Sequence, residues 1–194
     1  MSAAIPANDR LGNLPERLGA VARRYVDYWL TLPASAGVPP RAALDPAAIR
    51  EILPYFMLWE LNHSHDAKWR IVGSGIREWF GTELTGKNVV EIHTDAARPK
   101  AIAAGLAMGA QPCGAWGLMA LHSPQGYDFL VEVMCLPLRD AEGKVTLFGN
   151  TMERLDDRRF FDTMAAAGAR MVNFVEHRFI DIGAGLPVFP RGKA

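Results

Sequence analysis

The chain has 194 residues, 49% hydrophobic and 22% charged, the balance of an ordinary globular protein whose length fits one domain with helical extensions. Its 21 Lys plus Arg equal its 21 Asp plus Glu, so the formal charge is zero and nothing argues electrostatically for nucleic acid or an anionic membrane surface as partner. Met1 to Arg10 holds no basic stretch followed by an apolar one, and the longest uncharged apolar run, Ala101 to Ala110, is far too short to span a bilayer. The expectation is a soluble cytoplasmic protein whose two cysteines, Cys113 and Cys135, are buried thiols in a reducing compartment.

Asn13-Leu14-Pro15-Glu16 combines an N-cap residue, a first-turn proline and a capping-box acid, which predicts a helix start. Leu14, Leu18, Val21, Tyr25, Tyr28, Trp29 and Leu32 then recur at helical spacing, with Arg17, Arg23, Arg24 and Asp27 on the other face. Such an aromatic stripe covers the domain's own sheet or meets a second copy. Leu18, Val21, Tyr25 and Trp29 are therefore candidate helix-packing or dimer residues.

Asp45-Pro46 opens a short helix and Pro54 stops it. Tyr55–Leu61 and Lys68–Val72 read as a hairpin around the polar turn Asn62 to Asp66. Short helical stretches follow at Ile76–Phe80 and Asn88–Ile92, then a longer helix from Thr94 or Asp95 to Ala110. Cys113–His122, Tyr127–Leu138 and Val145–Glu153 are strands joined by turn chemistry at hairpin length, which predicts an antiparallel meander. Phe160, Phe161, Met164, Met171, Val172, Val175 and Phe179 fit a helical stripe, so a C-terminal helix is expected, then a loose tail from Gly183. Five antiparallel strands with helices gathered between the second and third make an α+β fold.

That order, with Tyr28-Trp29, Asp45-Pro46 through Ile52-Leu53-Pro54, Trp69-Arg70-Ile71-Val72-Gly73, Phe80-Gly81, Leu84-Thr85-Gly86 and Pro137-Leu138-Arg139-Asp140 with Gly143, resembles the PAS superfamily, in particular a bacterial subfamily of stand-alone PAS-domain proteins. The resemblance covers roughly Val26 to Arg154. It implies a curved five-stranded sheet whose concave face encloses a small-molecule cavity, dimerisation through flanking helices, and a division into an N-terminal helical extension (1–54), a PAS-like sensor domain (55–154) and a C-terminal helix with tail (155–194).

The resemblance also frames the cofactors. Haem-binding members take their axial histidine from the long helix before the third strand. That helix has none here, so a haem held by His93, just before it, is not expected. Flavin photosensors carry an Asn-Cys-Arg motif on the equivalent helices, and neither cysteine has that context. His63-Ser64-His65-Asp66 offers two imidazoles and one carboxylate without a fourth ligand, so no metal is expected.

No G-x-S-x-G, phosphate-binding loop, H-E-x-x-H or dinucleotide fingerprint occurs. A cavity enzyme would have to use Glu91 with His93, or Glu132, and strand parity puts Glu132 on a mixed face as a solvated side chain. Ligand-wall candidates are Trp69 and Ile71 as a pair on the second strand, with Trp79, Trp116, Phe129 and Phe148, and Arg98 or Asn150 as polar anchors. The expected function is a sensor that binds a small molecule or a partner protein. It would act as a homodimer and pass its state through the terminal helices to a separate signalling protein. The alternatives are a ligand-free interaction adaptor and a small α+β cavity enzyme.

Overall fold

The structure is a computed structural model, and it describes residues 11–63, 66–122, 128–155 and 170–188. In chain order the elements are α1 (Ala20–Thr31), β1 (Phe56–His63), β2 (Asp66–Val72), α2 (Ser74–Phe80), α3 (Arg98–Ala110), β3 (Gly114–His122), β4 (Asp128–Arg139), β5 (Val145–Arg154) and β6 (Arg170–Ile180). Every ladder is antiparallel and the strand order is β2-β1-β5-β4-β3-β6. The α+β class expected from the sequence holds, with six strands in place of five.

Local chemistry places most of these elements where the sequence puts them. The Asp45 carboxylate caps the 3-10 turn Pro46–Ile49 by accepting from the Ala47 amide at 2.9 Å. Asn88 and Glu91 form a reciprocal capping box around the 3-10 turn Val89–Ile92. Between β4 and β5 the Asp140 carboxylate accepts from the amides of Glu142 (3.0 Å) and Lys144 (2.8 Å), and Gly143 supplies the left-handed φ of +79° that closes the turn.

Two boundaries differ from the expectation. Helix α1 starts at Ala20, and Asn13 is not its cap; Asn13 has a φ of +66° in a segment where Gly12 pairs with Asp181. The donors at the start of α1 are satisfied by distant carboxylates on the sheet, so the local capping signal is overridden. The second difference is the C-terminal helix: residues 170–180 are β6, paired along β3. Its register slips at Leu118/Met119 and Ala120/Leu121, each time by one extra residue on β6. Inward positions then fall at Met171, Phe174 and His177, a spacing of three that imitates a helical stripe. Phe160, Phe161 and Met164 lie outside the described residues.

The sheet is apolar on both faces. On the concave face Met57, Trp59, Trp69, Val131, Val133, Cys135, Phe148 and Met152 pack with α2, α3 and the Val89–Ile92 turn. On the outer face Phe56, Leu58, Met134, Leu136 and Leu138 pack with Tyr25, Val26 and Trp29 of α1. Alternation along β4 makes this division, since Val133 and Cys135 point one way and Met134 and Leu136 the other. Tyr25 and Trp29 are fully buried, each contributing on the order of 2–3 kcal/mol of apolar burial. Trp29 also donates its indole N–H to the Pro137 carbonyl at 3.1 Å.

Candidate functional site

Between the concave face and α3 lies a cavity of about 120 Å³. Its floor is Trp59, Trp69, Val133, Cys135, Asn150 and Met152, and its roof is one face of α3 from Ala101 to Met108. The roof mixes the small residues Ala101, Ala104 and Gly105 with Ile102, Leu106 and Met108. A Cβ added at Gly105 would find its nearest neighbour, the Trp59 ring, only at 4.0 Å. Ala104 and Met108 are the buried residues of α3, and a Cβ added at Gly109 would meet the Leu61 side chain at 2.5 Å, so the helix closes on the sheet at its C-terminal end.

The third wall comes from β6 and the loop before α3. Met171, Phe174 and His177 face inward, and His93 stacks on Phe174 with ring centroids 5.9 Å apart. The Thr94 amide donates to the Met171 carbonyl at 2.9 Å, pinning the His93 loop to the strand. Burial, helped by the Arg98 guanidinium, lowers the His93 pKa to about 4, and burial with Lys100 nearby does the same for His177. Both imidazoles are therefore neutral at neutral pH. Among the described residues the cavity wall contains no Asp, Glu, Lys or Arg.

Three polar atoms at the wall have no hydrogen-bond partner: Trp69 Nε1, Asn150 Oδ1 and His93 Nδ1. Trp59 donates to the Cys135 sulfur and stacks on Phe148 at 4.3 Å, and Trp116 Nε1 donates to Glu132 Oε1 at 2.7 Å.

Of the eight residues named from sequence, Trp69, Trp116 and Asn150 reach the wall; Trp116 does so from the outer layer, beside Gly117. Ile71 does not, because a register shift between Leu58 and Trp59 on β1 leaves Arg70 as an extra residue on β2. Trp69 stays inside at 2% exposure while Ile71 turns outward at 40%. Trp79 packs against Tyr55 at 5.8 Å, Phe148 lies behind Trp59, and Phe129 sits under the Arg154 guanidinium at 4.7 Å. Arg98 is engaged by Asp95 at 3.0 Å and by the His93 carbonyl. Tyr25 and Trp29 of the helix-packing set are buried on this chain's own sheet, with Leu18 and Val21 half-buried beside them.

The carboxylates weighed for an enzyme are elsewhere. Glu91 is exposed in its capping box, and Glu132 is buried at 3% exposure on the outer face, so the solvated position expected for it is corrected. The His63 to Asp66 turn falls largely outside the described residues.

Comparison with known proteins bears on the whole arrangement. The family model described as PAS domain matches residues 19–152, from the start of α1 to near the end of β5. The chain belongs to the PAS domain family. PAS domains are typically sensory or signalling modules that bind other molecules and often dimerise. Among solved structures, similarity extends to an RNA-binding light-oxygen-voltage receptor (20% identity, 69% of this chain and 38% of that one, TM-score 0.44) and to the PAS domain of BvgS from Bordetella pertussis (12% identity, 56% and 81%, TM-score 0.42). No curated protein matches the sequence. No helix among the described residues is long and apolar enough to cross a membrane.

Proposed function

We propose that this PAS domain is a sensory module that takes a small, mostly apolar molecule into the cavity under α3 and reads its presence as a change in how α1 sits on the opposite face of the sheet. The observation that carries this reading is the cavity itself, enclosed between the concave face of the sheet and α3. The strands beneath it support a route outward. On β4 and β5, wall residues Val133 and Met152 directly adjoin Glu132 and Glu153, whose carboxylates accept from the Gly19 and Val21 amides at the start of α1 at 2.8 and 2.9 Å. A displacement of these strands on one side is felt at the helix on the other.

Neither haem nor a photoactive flavin suits these residues. The cavity is sized for a single ring, α3 carries no histidine, and both cysteines lie on the sheet side, where burial pushes the Cys113 thiol up to about 12 and raises Cys135 further. The output is a partner protein meeting α1 or a second copy of the domain.

The test is a native mass spectrum of the purified protein beside its denatured mass, repeated for Gly105→Leu, whose side chain fills the cavity. Extra mass that is lost on denaturation and absent from the variant supports the reading. A bare chain in both, with no thermal shift on adding benzene, overturns it and returns the ligand-free adaptor.

A further inference from the structure

We propose that the molecule this cavity recognises is neutral, carries a single ring, and bears both a hydrogen-bond acceptor and a donor on its rim. This rests on the reading of the cavity as a ligand site and adds the chemistry of the ligand. Size sets the first limit. A cavity of about 120 Å³ is close to the engineered apolar cavity of about 150 Å³ that binds benzene, so its size matches one ring.

Charge sets the second limit. With no ionic side chain in the described wall, an ion entering would lose its hydration with no opposite charge to meet it. The two imidazoles do not alter this, since both are neutral at neutral pH.

The polar pattern sets the third. Trp69 Nε1 can only donate, Asn150 Oδ1 can only accept, and both residues are more than nine-tenths buried without a partner. A buried polar atom without a partner is costly, so a purely apolar cavity wall would be more stable. His93 Nδ1 adds a third such atom, from the loop before α3. The first two come from strands of the cavity floor, β2 and β5, and the third from that loop. The neighbouring indoles of Trp59 and Trp116 are satisfied within the protein and offer a ligand no free donor.

The experiment is calorimetric titration of the intact chain with three one-ring probes: 2-pyridone, which has adjacent carbonyl and N–H groups, benzene, and benzoate. The expected order is 2-pyridone tightest, benzene weaker, and benzoate without binding. Trp69→Phe and Asn150→Leu should each weaken 2-pyridone about tenfold relative to benzene. Equal affinity for benzene and 2-pyridone, or tightest binding of benzoate, would overturn the ligand class while leaving the cavity as a binding site. If no probe binds the parent chain, the binding-site reading itself fails. Should either variant not fold, the order of the three probes on the parent chain decides alone.

Discussion

The Glu132 carboxylate accepts from the Gly19 backbone amide at 2.8 Å and from the Trp116 indole at 2.7 Å, joining β4, β3 and the first turn of α1 at one buried point. The carboxylate also sits at the positive end of the helix dipole. Glu132→Ala leaves two buried donors unmet and should cost about 2–4 kcal/mol, against a smaller loss for Glu132→Gln, which keeps one acceptor oxygen. Urea unfolding of the two variants beside the parent checks this; equal midpoints for all three would remove the cap from the account. Gly19→Ala should behave like Glu132→Ala, because its Cβ would run into the carboxylates of both Glu132 and Glu153.

A second close approach fixes the middle of α1. The Tyr25 hydroxyl lies where a Cβ on Gly149 would stand, and its ring meets Phe56 edge-on at 5.4 Å. Gly149→Ala therefore forces α1 off β5 and should destabilise by about 1–3 kcal/mol, while Gly149→Ala combined with Tyr25→Phe should recover part of that loss. Thermal unfolding of the three variants measures the coupling, and strict additivity would contradict the contact.

Acid should weaken the fold through the cavity histidines. Both have folded pKa values near 4, below the ordinary 6.5, so the unfolded chain takes up protons first as pH falls. Their contribution is complete above about pH 6.5 and is lost progressively toward pH 4, with Arg98 and Lys100 adding repulsion to any imidazolium formed. Melting temperature followed across that range should fall more steeply for the parent than for His93→Gln. Parallel curves would show that His93 does not titrate in this way.

Filling the cavity should stabilise the empty protein. Gly105→Leu replaces a helical glycine that lines the cavity, gaining about 1 kcal/mol in helix propensity alone. A raised melting temperature that no longer responds to 2-pyridone is expected. A lowered one would mean that α3 is packed more tightly over Trp59 than the structure has it.

Much of this was readable in the sequence, and the failures share a cause. Turn chemistry at Asp140–Gly143, capping residues at Asp45 and Asn88, and the alternation Val131, Val133, Cys135 are local signals, and they placed the hairpins and the concave face. What escaped was written by tertiary geometry. The bulge at Arg70 separated Trp69 from Ile71, and the two slips in β6 hid a strand behind a spacing of three. The start of α1 answers to Glu132 and Glu153, more than a hundred residues away, and not to Asn13. With β6 read as a helix, Met171, Phe174 and His177 were lost from the wall. Only the alternation Glu176, His177, Arg178, Phe179, polar outside and aromatic inside, still showed a strand.

Hydrogen exchange with and without saturating 2-pyridone tests the link between cavity and helix most directly. The account predicts altered protection both at the wall, in Val89–Ala110 and β6, and in α1 from Ala20 to Thr31 on the far side of the sheet. Changes at the wall with α1 unaltered would show that the cavity is filled without the helix sensing it, and would contradict the proposed relay.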